Sequence, residues 1–515
     1  MTMLSRLSVL LWCAVLAAST PLVAQLIDRT LAPNTAGEGI GLSLDEQIGP
    51  GRGDWFTEDS SSFIINRDPF RAIRRGRQLF QRKFPVARGL GPVTGDGGGN
   101  IELDRSIGAG AADSCAACHG RPRGSAGFGG DVATRPDSRD APHLFGLGLK
   151  EMLADEMTGE LRAIRDAAIA RAMLTGRDVT RRLAAKGVEF GRITGRPDGT
   201  ADASGVEGVD PDLRVRPFFA HGGTMSMREF IIGALNAEMG LRVDDRDVGE
   251  AAAGGRVITP AGMVLDGATD RIEAPPAGVG ELDPAVVDYL EFYLLNYFKP
   301  GTGQQTPDVE QGRRTLEKAG CTRCHVPNLT IARDRRVADV ETVFDPARGH
   351  LNRLFATAQP LFTSFADVPG LPAVKAPIQG SFVVRNIYSD LKRHDLGSAF
   401  HELEYDGTLQ REFLTTPLWG VGSTPPYGHD GRSINLMEVV LRHGGEAQAE
   451  REAFAALPRK KQEDVIAFLN SLVLFPPDDT ASNLDPGDAD TAGYPQYGHG
   501  SIRLSVLFNN PARIE

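Results

Sequence analysis

The chain has 515 residues, with 56 Lys+Arg against 67 Asp+Glu and a formal net charge of −11. At 41% hydrophobic, 24% charged and mean hydropathy −0.21, this is a globular composition, which excludes a polytopic membrane protein and a wholly disordered chain. The acidic balance argues against general nucleic-acid binding, which needs a basic face, and the length predicts more than one domain.

Residues 1–24 read as a secretory signal peptide. Arg6 supplies the positive start, Leu7 to Ala18 is largely apolar, and Ala24 is a cleavage position. The apolar run is too short for a bilayer core of roughly 30 Å. The expected product is periplasmic or secreted, with no transmembrane span in the mature chain.

Next comes a short helical pattern, Arg75-Gly76-Arg77-Gln78-Leu79-Phe80-Gln81-Arg82, and then a glycine-rich loop from Gly89 to Gly110. It leads to Cys115-Ala116-Ala117-Cys118-His119. A second helical pattern, Asp308 to Gly320, runs straight into Cys321-Thr322-Arg323-Cys324-His325, and Gly76-Arg77 and Phe80 align with Gly312-Arg313 and Leu316. Of the five cysteines only Cys13 lies outside these motifs, and it belongs to the signal peptide. Two cysteines followed at once by His are the pattern of covalent haem c. Thioethers anchor the porphyrin and the next imidazole meets the iron. A zinc site or a redox dithiol would not require His in the fifth place of both motifs. Two haems c are therefore expected, on Cys115, Cys118 and His119 and on Cys321, Cys324 and His325.

Each motif is followed by distal loops and a closing helix. Val286, Leu290, Tyr293, Leu294 and Tyr297 share one helical face in the first module, and Val465, Phe468, Leu469 and Leu472 share one in the second. The order is that of a cytochrome c domain, present twice. The expected fold is mainly α, with two cytochrome c-like domains carrying long loop insertions at 25–300 and 301–478. Gly301 to Thr306 reads as the linker and 479–515 as an irregular strap.

With these residues placed, the chain resembles the di-haem oxidoreductases of peroxidase type, relatives of bacterial di-haem cytochrome c peroxidases and MauG. The most specific stretches are Arg139-Asp140-Ala141-Pro142-His143-Leu144-Phe145-Gly146, Thr416-Pro417-Leu418-Trp419-Gly420, Pro425-Pro426-Tyr427-Gly428-His429-Asp430-Gly431-Arg432 and Arg442-His443-Gly444-Gly445-Glu446. The resemblance implies one six-coordinate haem that shuttles electrons and one that reacts with peroxide. It implies His443 as distal ligand of the second haem, with His429 the runner-up; the plainer reading of His443 is a helix C-cap. His394 reads as structural.

For the first haem, Gly120 to Ala141 holds no His and no Met, departing from the peroxidases and suggesting an open iron. His143 and His221 are the imidazoles that could still fold over it. Glu238, within Asn236-Ala237-Glu238-Met239-Gly240, matches the peroxidases' distal acid; its alternative is a solvated helix-end carboxylate. His221 and Asn236 are candidate helpers. Phe218 and Phe219 stand where those proteins place an inter-haem Trp, and Trp419 reads as core packing. The implied function is a di-haem oxidoreductase taking electrons from a small redox protein or other donor and reducing peroxide or another small molecule. The alternatives are a non-catalytic electron carrier and a haem oxygenase acting on an organic substrate. A calcium site between the domains would be consistent with the resemblance.

Overall fold

The opening helix of the first module, Pro69–Gln81, starts with Pro at its first position after Asp68, where the missing N–H costs nothing. Its closing helix, Pro284–Leu295, starts in the same way, and Asp283 accepts the Ala285 N–H. The two cross at Gly76. A Cβ there would lie 2.1 Å from the Tyr289 carbonyl oxygen and 2.4 Å from the Tyr293 Cβ. In the second module Pro307–Lys318, capped by Thr306, crosses Arg459–Ser471. A Cβ on Gly312 would lie 1.8 Å from the Asp464 carbonyl oxygen and 2.9 Å from the Phe468 Cβ. Tyr289 and Tyr293 thus correspond to Asp464 and Phe468 at the same four-residue spacing. The repeat seen in the sequence is a repeated backbone contact.

This computed structural model describes residues 44–84, 114–119, 140–275, 280–297, 299–344, 354–404 and 407–474. The expected signal peptide, the glycine-rich loop, the His-free segment as far as residue 139 and the C-terminal strap lie outside them. Among the described residues no helix is long and apolar enough to cross a membrane.

The mainly-α expectation is corrected. Helix makes up 39% of the structure and strand 18%, in several small sheets. The strands sit in the insertions. Val179–Ala185 and Val188–Gly195 form a hairpin joined by Lys186 and Gly187, both at positive φ, the geometry a two-residue turn requires. Leu183, Ala185, Val188, Phe190 and Ile193 bury one side of it, against the 29-residue helix Leu147–Thr175. In the second half, Ala338–Phe344 pairs with Leu354–Pro360, and Phe362–Phe365 pairs with Val374–Pro377. These paired segments run only four to seven residues each. A search for helical faces passes over them.

The Phe362–Pro377 hairpin reaches across to the first module. Buried Arg67 holds Asp367 through both terminal nitrogens at 2.8 Å and the Pro372 carbonyl at 2.6 Å. The Phe70 and Phe362 rings meet edge-on at 6.3 Å. Other second-half residues complete the larger core. Leu329, Ile331, Val337, Val384, Leu391, Trp419 and Leu474 pack with the first module, while a smaller core runs from Val309 to Leu472. Two further differences follow. Every residue from Ala285 to Leu295 is buried, so the first closing helix is covered all round rather than on one face. Gly301–Thr302, read as linker, is a strand paired with Leu472–Val473.

Candidate haem centres

Cys115–His119 forms a short helix, and Cys321–Arg323 a 3-10 turn. In each motif the histidine is fixed in the same manner. His119 Nδ1 lies 2.7 Å from the Pro142 carbonyl, and His325 Nδ1 lies 3.0 Å from the Tyr388 carbonyl. A carbonyl only accepts, so the ring proton sits on Nδ1 and the Nε2 lone pair is left to meet a metal. Such an outer bond orients a ligating imidazole and raises its basicity. His443 repeats the pattern, with Nδ1 donating to the Val439 carbonyl at 2.7 Å. It also closes the helix Leu436–Arg442, its N–H donating to Val440. The helix-cap reading and the ligand reading are therefore compatible.

His325 and His443 lie close enough to influence each other electrostatically. Burial, then the neighbouring His443, pushes His325 down to about 4, and burial lowers His443 as well. Both are neutral at physiological pH, the form that binds metal. Phe400 packs edge-on to His443 at 5.5 Å. Arg442 lies over the same ring and holds Asp430 at 2.9 Å.

Three other histidines among the described residues have contacts of their own. His143 accepts from the Phe145 N–H at 3.3 Å and donates Nε2–H to the Trp419 carbonyl at 3.2 Å. With both nitrogens used it cannot also ligate the first haem. Burial, partly offset by the Trp419 carbonyl, pushes it down to about 4. His429 stacks on Phe413 at 3.9 Å, and its Nε2 lies 2.8 Å from Glu402. His394 sits between Asp390 and Glu446, at 2.9 and 2.7 Å. Burial opposes its charge, but hydrogen bonds with Asp390 and Cys324 raise it to about 11.

His221 and Glu238 flank one helix, Met227–Ala237. His221 stacks on Phe219, which packs on Phe230 in the first turns. Half-buried Glu238 closes the far end, roughly 12 Å beyond Phe230 along the axis at 1.5 Å per residue. The structure does not bring the two together. Phe218 and Phe219 form an aromatic cluster with Phe230.

The helix bearing Glu238 is anchored by a buried charge network that sequence reading missed. Arg228 bonds Asp245 at 2.6 and 3.0 Å, Asp288 at 2.9 Å and Glu291 at 2.7 Å, all fully buried. Burial, only partly offset by Arg228, pushes Glu291 up to about 7. Burial, outweighed by Arg228, leaves Asp245 below the usual carboxylate range.

The donor set fits two haems c: two cysteine pairs, and three imidazoles held in the tautomer that presents Nε2. Among the described residues, one group of three His, Cys, Asp or Glu ligand atoms falls within 4.8 Å, at Cys324, Asp390 and His394. A thioether at Cys324 takes the sulfur out of any such site. The group is also unlike the oxygen shell that calcium prefers.

Residues 332–472 match the model of the family described as "Di-haem oxidoreductase, putative peroxidase". This stretch resembles a di-haem oxidoreductase domain. The domain contains His394, Trp419, His429 and His443 and begins just after His325. No curated protein matches the chain. Among solved structures, a MauG-like protein associated with microbial copper homeostasis is 16% identical, covering 64% of this chain and 89% of that one, with a TM-score of 0.24. Hydrazine synthase of Kuenenia stuttgartiensis, pressurized with xenon, is 16% identical, covering 37% of this chain, with a TM-score of 0.22. The chain spans 55% of the length of that hydrazine synthase chain.

Proposed function

We propose that the chain is an exported di-haem c oxidoreductase of peroxidase type. A haem held by His325 and His443 would take electrons from a small redox protein, and a haem held by His119 would be where they reduce peroxide. The observation that carries this reading is an asymmetry between two otherwise repeated motifs. Each has its His clamped Nδ1-to-carbonyl, and among the described residues His325 has near it a second neutral imidazole clamped in the same way, His443. The imidazole beside His119, His143, has both nitrogens engaged.

A closed axial pair suits electron transfer, and an iron with a displaceable or absent sixth ligand permits chemistry. Haem supplies an iron that changes oxidation state. The chain's own groups orient and protonate. The Pro142 and Tyr388 carbonyls fix the two proximal rings, and burial keeps His325 and His443 uncharged. Glu238, at the end of the Arg228-anchored helix, is the group assigned to move a proton from the near to the far oxygen of peroxide.

Optical and EPR spectra of purified holoprotein test the assignment. One high-spin and one low-spin haem are expected, with His443→Ala turning the low-spin centre high-spin or placing a substitute ligand there. Two low-spin haems in the wild type would instead indicate an electron carrier. One haem per chain would overturn the di-haem reading itself.

A further inference from the structure

The segment bearing His443 continues as Gly444-Gly445-Glu446, and the strand Arg393–Asp395 lies against it. The Gly444 N–H donates to the Leu396 carbonyl at 3.0 Å. A Cβ on Gly445, which has φ +49°, would lie 2.2 Å from the Asp395 carbonyl oxygen. Glu446 takes two hydrogen bonds from the strand, one from the Asp395 N–H at 3.0 Å and one from His394 Nδ1–H at 2.7 Å. On its other side His394 donates Nε2–H to Asp390 at 2.9 Å. A ring that donates from both nitrogens to two carboxylates is an imidazolium.

Asp390 stands two residues after Tyr388, whose carbonyl orients His325, and Cys324 Sγ is in the same cluster. One side chain, 7% exposed, therefore ties the proximal segment to the distal loop. Asp390 is 2% exposed, whereas the Glu446 side chain is 54% exposed. The Asp390 half is the fixed anchor, and the Glu446 half is the one that can open.

We infer that His394 and Glu446 form a clasp that holds the His443 loop at the separation at which His325 and His443 share one iron. Both are positioning residues, neither a ligand. The inference rests on the proposed His325/His443 pair and adds a cause for its persistence. The Val439 and Val440 carbonyls hold His443 to its own short helix, whereas the Gly444–Leu396 bond and the Glu446 contacts hold that helix end to the proximal side. A charge-assisted hydrogen bond is stronger than a neutral one.

The test uses the holoprotein with two haems loaded. Glu446→Ala removes both strand contacts without touching Asp390, and His394→Gln removes the charge while keeping a polar side chain. The second centre should show partial high-spin character in each variant. Cyanide should bind the ferric second haem roughly tenfold faster or more, the scale of one lost hydrogen bond to a charged group. Haem content should stay at two per chain, and the first centre's spectrum should not change. Wild-type spin state and cyanide kinetics in both variants would overturn the clasp. His443→Ala in the same assay separates the two layers of the argument. If it leaves the second haem's spectrum unchanged from the wild type, the axial pair is wrong and the clasp falls with it. If it opens the iron while the two clasp variants do not, the clasp alone is refuted.

Discussion

Substituting Ala at Gly312 tests whether the helix crossing under the second motif is set by a single missing methyl group. The added Cβ would sit 1.8 Å from the Asp464 carbonyl oxygen, whereas ordinary contact begins at 3.4 Å. The closing helix would have to retreat by about 1.6 Å, the difference between those distances. The atom in the way is backbone, so no rotamer change relieves the clash. Alanine gains about 1 kcal/mol over glycine in helix propensity, but overpacking a close-packed contact costs about 1–3 kcal/mol and occasionally more. The displacement is far larger than a rotamer adjustment, so the upper end of that range applies and a net loss of about 2 kcal/mol is expected. Gly159 provides the control. It lies in the helix Leu147–Thr175, and a Cβ there meets nothing within 4 Å, so Gly159→Ala should stabilise by up to about 1 kcal/mol. Urea unfolding of the two variants and the wild type, with haem stoichiometry recorded beside it, gives both values. Equal stability of Gly312→Ala and Gly159→Ala would refute the reasoning, because propensity alone cannot distinguish them.

Two further outcomes are expected. Glu291 carries a raised affinity for its proton, about 7 against an ordinary 4.5. The folded state therefore binds more protons than the unfolded one between those pH values, and stability falls as pH rises through that window. Relative to Glu291→Gln, the wild type should lose about 3 kcal/mol between pH 4.5 and 8; parallel stability curves for the two proteins would contradict this. Glu238→Gln should leave haem content and thermal stability unchanged while slowing peroxide reduction by at least about 10²-fold. Stopped-flow mixing with peroxide at wild-type rates would return Glu238 to a helix-end charge worth under about 1 kcal/mol.

What could be read directly from residue types was whatever chemistry or close approach admits one answer. Covalent haem needs Cys-x-x-Cys-His, and a backbone-to-backbone helix crossing needs Gly76 and Gly312. The strands were harder to see because each is short and its alternation is interrupted, as at Gly191 in Val188–Gly195. The Lys186-Gly187 turn was the signal that could have found that hairpin. The carbonyls of Pro142 and Tyr388 could not have been identified from side chains, since any residue supplies a carbonyl. Arg228 looked like one charge among several in Met227-Arg228-Glu229. Its acidic partners lie 17, 60 and 63 residues further along, a distance no local pattern spans. His143 was legible as an imidazole but not as one with both nitrogens engaged.

The way the two cores share residues bears on the order in which the protein can be assembled. Chains usually fold from the N-terminus as they are made. Here the first module's core includes residues as late as Trp419 and Leu474, and Arg67 waits for Asp367 and Pro372, about 300 positions later. Among the described residues the smaller core draws on Val309 to Leu472, so it closes on its own material. That smaller core can form first, and the larger one stays unfinished until Leu474 has emerged. The attachment cysteines made first therefore belong to the module completed last, and a truncation near the C-terminus should damage the N-terminal half.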